Sequence, residues 1–229
     1  MNLSLKMAEN RIIADLVTAF DFEDFNKLMG IRQKRLRLWP YEVSYEMAVE
    51  QIEGTANYVE LEALRQLNVD KYETKLHHMK QSIVHLGNLI PIRIISYDVG
   101  ALIIKIMRDN GLILNHDFND RSYLDYYLNS MVSEQVHEDE SNEIHDLINQ
   151  YYRDISQTLE TSVKEENLVF KGDYPLLGVN IYNAKYSNQY IITEYFLMYQ
   201  EEAQAKILNG HFVIKLNEKH HISEVYKLQ

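Results

Sequence analysis

Tyr41-Glu42-Val43-Ser44-Tyr45-Glu46-Met47-Ala48-Val49-Glu50-Gln51-Ile52-Glu53-Gly54-Thr55-Ala56-Asn57-Tyr58-Val59-Glu60 reads as the body of one long helix. Pro40 ends the helix before it, because a proline ring clashes with the preceding turn and supplies no amide donor. The helix is expected to continue to about Leu67, where Asn68 terminates it. Glu46, Glu50, Glu53 and Glu60 follow one another at intervals of four, three and seven, which places all four along one side of an α-helix. Carboxylates so placed repel each other unless positive charge stands opposite. They can face water, pair with the basic run Arg32-Gln33-Lys34-Arg35-Leu36-Arg37, or lend an oxygen to a divalent metal. The spacing alone leaves these open.

Outward from this helix the pattern stays helical through the first two thirds of the chain. Ile12, Ile13, Leu16, Val17 and Phe20 form one apolar face, and Phe22, Phe25, Leu28 and Met29 form another, with Asp21 between them as an N-cap. Asp70 and Glu73 suggest a capping pair for the next helix. Asn88 and Pro91 mark a break, and Ile94 to Arg108 reads as a helix closed by Asp109-Asn110-Gly111. The acidic stretch from Glu134 to Ser141 reads as a loop, and Ile144 to Leu159 again carries a helical stripe.

After about Glu166 the grammar changes. Val179–Tyr186, Tyr190–Tyr199 and Phe212–Leu216 are rich in β-branched and aromatic residues, with turn signals at Gly172-Asp173-Tyr174-Pro175 and Asn209-Gly210. The expected class is therefore α+β: a mainly helical body over 1–166, then a small antiparallel sheet over 167–229 packed on the helices. The basic run is expected to be a solvated helix face that pairs with neighbouring carboxylates. Among the tail aromatics Tyr182, Tyr186, Tyr190, Tyr195, Phe196 and Tyr199, about half are expected to point inward and the rest to be available for an interface.

Charge and composition remove several classes. The 229 residues carry a formal charge of −11, which disfavours nucleic-acid backbones and anionic membranes as partners. With no cysteine, thiolate catalysis, disulfides and cysteine-bound zinc are excluded. No Gly-rich phosphate loop, nucleophile elbow or nucleotide fingerprint is present. There is no secretory signal and no apolar run long enough to span a bilayer, so cytoplasmic is the default expectation.

Glu53-Gly54-x-Ala56-x-Tyr58-Val59-Glu60 resembles the Asn-Glu-Gly-Phe-Ala-x-Tyr-x-Glu segment of gluzincin metallopeptidases, notably zinc aminopeptidases. Tyr97-Asp98-Val99-Gly100-Ala101 is similar to the Tyr-x-x-Gly-Ala segment that follows in the same family. The resemblance implies that Glu53 is the third ligand of a zinc ion, with Glu60 in support, and that Tyr97 donates a hydrogen bond to the oxyanion of a peptide substrate. It also implies that Gly54 and Ala56 let this helix approach the metal-binding helix closely. The chain departs from the pattern in having Ile52 before the glutamate and Thr55 after the glycine. It also lacks the His-Glu-x-x-His helix that supplies two zinc ligands and the general base. The nine histidines offer no familiar replacement: His137-Glu138 and His145 are wrongly spaced, and His78 and His85, one heptad apart with His77 nearby, have no acidic partner to complete a metal pattern.

The resulting expectation is a truncated or degenerate gluzincin relative, its upstream histidines lying outside this chain. A complete relative would hold zinc; this chain alone would hold none and would be inactive. The alternative is a non-catalytic helical scaffold or interaction module, with self-association among its possible partners.

Overall fold

The computed structural model describes residues 2–90, 92–112 and 142–229. The fold is α+β, with an N-terminal helical body and a C-terminal antiparallel sheet. It divides into two compact units, Met1–His145 and Asp146–Gln229. The sequence boundary at 166 therefore gives way to one near 145, because the last helix packs on the sheet through Ile155.

The helical unit contains α1 (Asn2–Thr18), α2 (Phe22–Leu38), α3 (Pro40–Val49), α4 (Thr55–Leu67), α5 (Val69–Val84) and α6 (Ile92–Asp109). Asp21 caps α2 by accepting from the Glu23 and Asp24 amides. Asn68 ends α4 and also starts α5, its side chain accepting from the Lys71 amide, so this asparagine takes the role expected of Asp70 and Glu73. Ile13, Phe25, Leu28, Met47, Leu61, Ile83 and Leu102 meet in one core. The most enclosed element is α6, whose run from Val99 to Met107 is buried all round. This run is apolar apart from Lys105, whose ammonium donates to Asp109 at 2.5 Å.

Between α3 and α4 the chain does not remain α-helical. Glu50–Gly54 forms a π-turn, continuous with the helices on either side. A π-turn takes up about one residue more than an α-turn, so later side chains lag by about 100°.

In the second unit, α7 (Asn142–Ser162) precedes seven strands: β1 (Leu168–Val179), β2 (Lys185–Ser187), β3 (Tyr190–Thr193), β4 (Phe196–Glu201), β5 (Gln204–Asn209), β6 (Phe212–Leu216) and β7 (His221–Lys227). Their order is β2-β3-β6-β7-β1-β4-β5, and neighbouring strands run antiparallel. The expected turn at Gly172-Asp173-Tyr174-Pro175 lies inside β1, at a shift of register against β7. Such a shift bends a strand without ending it. Similarly, Tyr190–Tyr199 is not one strand, because Glu194 and Tyr195 interrupt it and Tyr195 has a φ of 74°. Asn209-Gly210 separates β5 from β6, which are not hydrogen-bonded to each other.

Along β6 the period of two sorts side chains between two cores. Phe212, Ile214 and Leu216 join Leu197, Ile222 and Val225 on one face. Val213 joins Ile192, Tyr226 and Ile155 of α7 on the other. Of the tail aromatics, Tyr190 and Tyr199 pack against these cores, while Tyr182, Tyr186 and Tyr195 are exposed. Among the described residues, no helix is long and apolar enough to cross a membrane.

Candidate functional site

The helical unit contains a fully buried group of charges. Lys6 and Glu9 come from α1, Arg32 and Arg35 from α2, Glu46 from α3, and Glu50 from the start of the π-turn; each is at most 2% exposed. Arg32 pairs through one terminal nitrogen with Glu9 and through the other with Glu50. Arg35 donates to Glu9 at 2.6 Å, to both oxygens of Glu46 at 2.7 Å, and through Nε to Asn2 at 2.9 Å. Lys6 Nζ lies 3.2 Å from Glu46 and 3.3 Å from Glu50. Three carboxylates thus face three cations, so the cluster is neutral overall, as burial of ionised groups demands. Burial pushes the Glu9 carboxyl up, but Lys6, Arg32 and Arg35 outweigh it and hold Glu9 well below the usual carboxylate range. Burial likewise disfavours the Arg32 charge, and Glu50 and Glu9 more than offset that.

The basic run is therefore not a solvated face at Arg32 and Arg35; it is the buried partner of Glu46 and Glu50. Nor do the four glutamates share one side. Glu46 and Glu50 turn inward, and the lag introduced by the π-turn brings Glu53 out of that face. Glu53 reaches Arg93 of α6 at 3.3 Å, with their side chains 35% and 23% exposed. Arg93 also donates to the Tyr45 hydroxyl at 2.9 Å, and its guanidinium carbon lies 5.9 Å from the centre of the Tyr97 ring. Glu60 is farther along on the surface, paired with Lys75 at 2.5 Å.

The two family-like segments meet each other. A Cβ built on Gly54 would come within 2.7 Å of the Gly100 Cα, and one on Gly100 would overlap the Glu50 carbonyl. Asn57 Nδ2 donates to Asp98 at 3.4 Å beside this crossing. Burial raises the Asp98 carboxyl above its ordinary value, against the opposing hydrogen bond from Ser82 and the charges of His78 and Lys75. Gly54 thus serves close approach, with α6 as the partner helix; Ala56 is exposed.

The zinc ion implied at Glu53 does not fit the residues around that carboxylate. The group beside it is a guanidinium, which repels a second cation, and no set of three or more His, Asp or Glu side chains among the described residues is arranged to hold a metal. His77 and His78 lie on α5, His145 on α7, and His211 and His220 in the sheet unit, while His116 and His137 lie outside the described residues. Arg93, Tyr45, Lys6 and Glu9 went unnoticed in the sequence. Their signals were faint: Arg93 stands one turn before Tyr97, and Lys6 and Glu9 are three apart.

No protein-family model, curated protein or solved structure matches the chain.

Proposed function

We propose that this chain is a gluzincin-related helical scaffold, metallopeptidase-like in ancestry and without peptidase activity of its own. The observation that carries the proposal is the engagement of Glu53 by Arg93, with Tyr97 beneath the same guanidinium. An internal cation holds the carboxylate that a zinc site would need, and the same cation lies over the ring of the tyrosine that the resemblance makes the oxyanion donor. Ancestry is supported by the crossing of the two segments at Gly54 and Gly100, since segments inherited from one site are expected to stay packed together. A complete relative would need two zinc-binding histidines and a general base in addition, and only such an assembly would act on a peptide.

The test is hydrolysis of a panel of aminoacyl and internal-peptide substrates by purified chain, with and without added zinc, beside Glu53→Gln. No zinc-dependent hydrolysis is expected from either protein. Hydrolysis that requires zinc and disappears in Glu53→Gln would overturn the reading.

A further inference from the structure

β1 carries one residue more than its partner where it passes β7: between the pairs Lys171–Glu224 and Tyr174–Ile222 it advances three residues while β7 advances two. The surplus forms a bulge. It lays the Tyr174 ring across Gly172 and against Phe170 and Tyr199, at 5.6 and 5.5 Å between ring centres. Asp173, inside the bulge, reaches the turn between β6 and β7. There one Asp173 oxygen accepts from Asn217 Nδ2 at 2.8 Å and meets His221 Nδ1 at 3.1 Å. Asn217 in turn orders the turn. Its side-chain oxygen accepts from the Lys219 and His221 amides at 2.9 and 3.1 Å, and its backbone amide donates to the His221 carbonyl at 2.8 Å. A single carboxylate thus joins bulge and turn.

We propose that Asp173 and His221 form a proton-operated clasp, which binds the bulge of β1 to the β6–β7 turn more tightly when the imidazole is charged. An ionised carboxylate only accepts, so Nδ1 carries the proton of this bond in either state. A second proton, taken up at Nε2, adds charge without rearranging the contact. Histidine is the side chain whose charge ordinarily changes between about pH 5 and about pH 8. Asp173 does not change with it. Hydrogen bonds from Asn217 and His221, with the charges of His221 and Lys219, hold its carboxyl below its ordinary value, so it is ionised throughout that range. The other charges of the neighbouring strands are turned to one another. On β1 Lys171 lies 3.9 Å from Glu165 and 4.0 Å from Glu224, and on β6 Lys215 lies 3.6 Å from Glu224. Glu218, Lys219 and His220 of the turn are exposed, so water and salt screen them. The His221 and Asp173 side chains are themselves 33% and 59% exposed, so the clasp adjusts the junction of bulge and turn and does not decide whether the sheet folds.

The clasp lies in the sheet unit and is independent of the reading of Glu53. Amide hydrogen exchange of the full chain, followed by NMR and corrected for the intrinsic effect of pH, tests it. Protection of the Lys219 and His221 amides is expected to rise about threefold from about pH 8 to about pH 5.5, the response of a partly exposed pair. Asp173→Asn keeps an acceptor for Asn217 and His221 but no charge, and its protection should not respond to pH. His211→Gln, between β5 and β6, should respond as the unaltered chain does. Protection indifferent to pH in the unaltered chain, a rise of equal size in Asp173→Asn, or its loss in His211→Gln would overturn the proposal.

Discussion

Arg32 ties α1, α2 and the π-turn together, one terminal nitrogen on Glu9 and the other on Glu50, without access to water. Removing it would leave two buried carboxylates short of a cation. Arg32→Met is therefore expected to cost about 3–5 kcal/mol in urea unfolding. Glu53→Gln breaks a partly exposed pair and is expected to cost less than about 1 kcal/mol. Similar losses for both variants would refute the distinction between the buried and surface pairs. That Glu46 and Glu50 could pair with the basic run was legible from charge and spacing. Their burial was not, because an arginine eleven or eighteen residues from a glutamate looks the same in sequence whether water or protein surrounds the pair. Lys6 and Glu9 supply the missing balance from a helix distant in the chain, and pattern reading gave no reason to connect them.

At the scale of elements, the crossing of the π-turn with α6 sets the position of Glu53. Gly100 sits where any Cβ would overlap the Glu50 carbonyl. Since backbone cannot swing aside as a side chain can, Gly100→Ala should force the helices apart and destabilise the unit by about 1–3 kcal/mol. A neutral or stabilising Gly100→Ala in thermal unfolding would contradict this packing. The Asp21 cap makes a separate prediction: Asp21→Ala exposes two unsatisfied amides and should cost about 0.5–2 kcal/mol. The cap and the helix breaks at Pro40 and Asn68 were plain in the sequence because each acts locally. The π-turn was not, since its cause is tertiary: Glu50 is drawn into an ion cluster while Gly54 closes on Gly100. One inserted residue was enough to separate Glu53 from the glutamates it had seemed to accompany.

For the whole molecule, helical body and antiparallel sheet followed from the change of period and residue type near 166. The division near 145 did not, because only packing reveals that α7 covers the sheet through Ile155. Acid should act on the helical unit through buried Glu9. Glu9 is depressed well below its ordinary value, whereas in the unfolded chain it titrates near about 4.3. Between those limits the unfolded state binds the extra proton. The stabilisation is thus fully present above the unfolded pKa and is lost as pH falls toward the folded one. Helical circular dichroism under mild urea should hold from neutral pH to about 5 and then decline; stability that increases on acidification would exclude the cluster as its source.

The reading of Glu53 as a carboxylate held by an internal cation is tested by the zinc content of the chain after equilibration with excess zinc and exhaustive dialysis. We expect far less than one zinc per chain, unchanged in Glu53→Gln. One tightly held zinc per chain, lost in Glu53→Gln, would contradict the account.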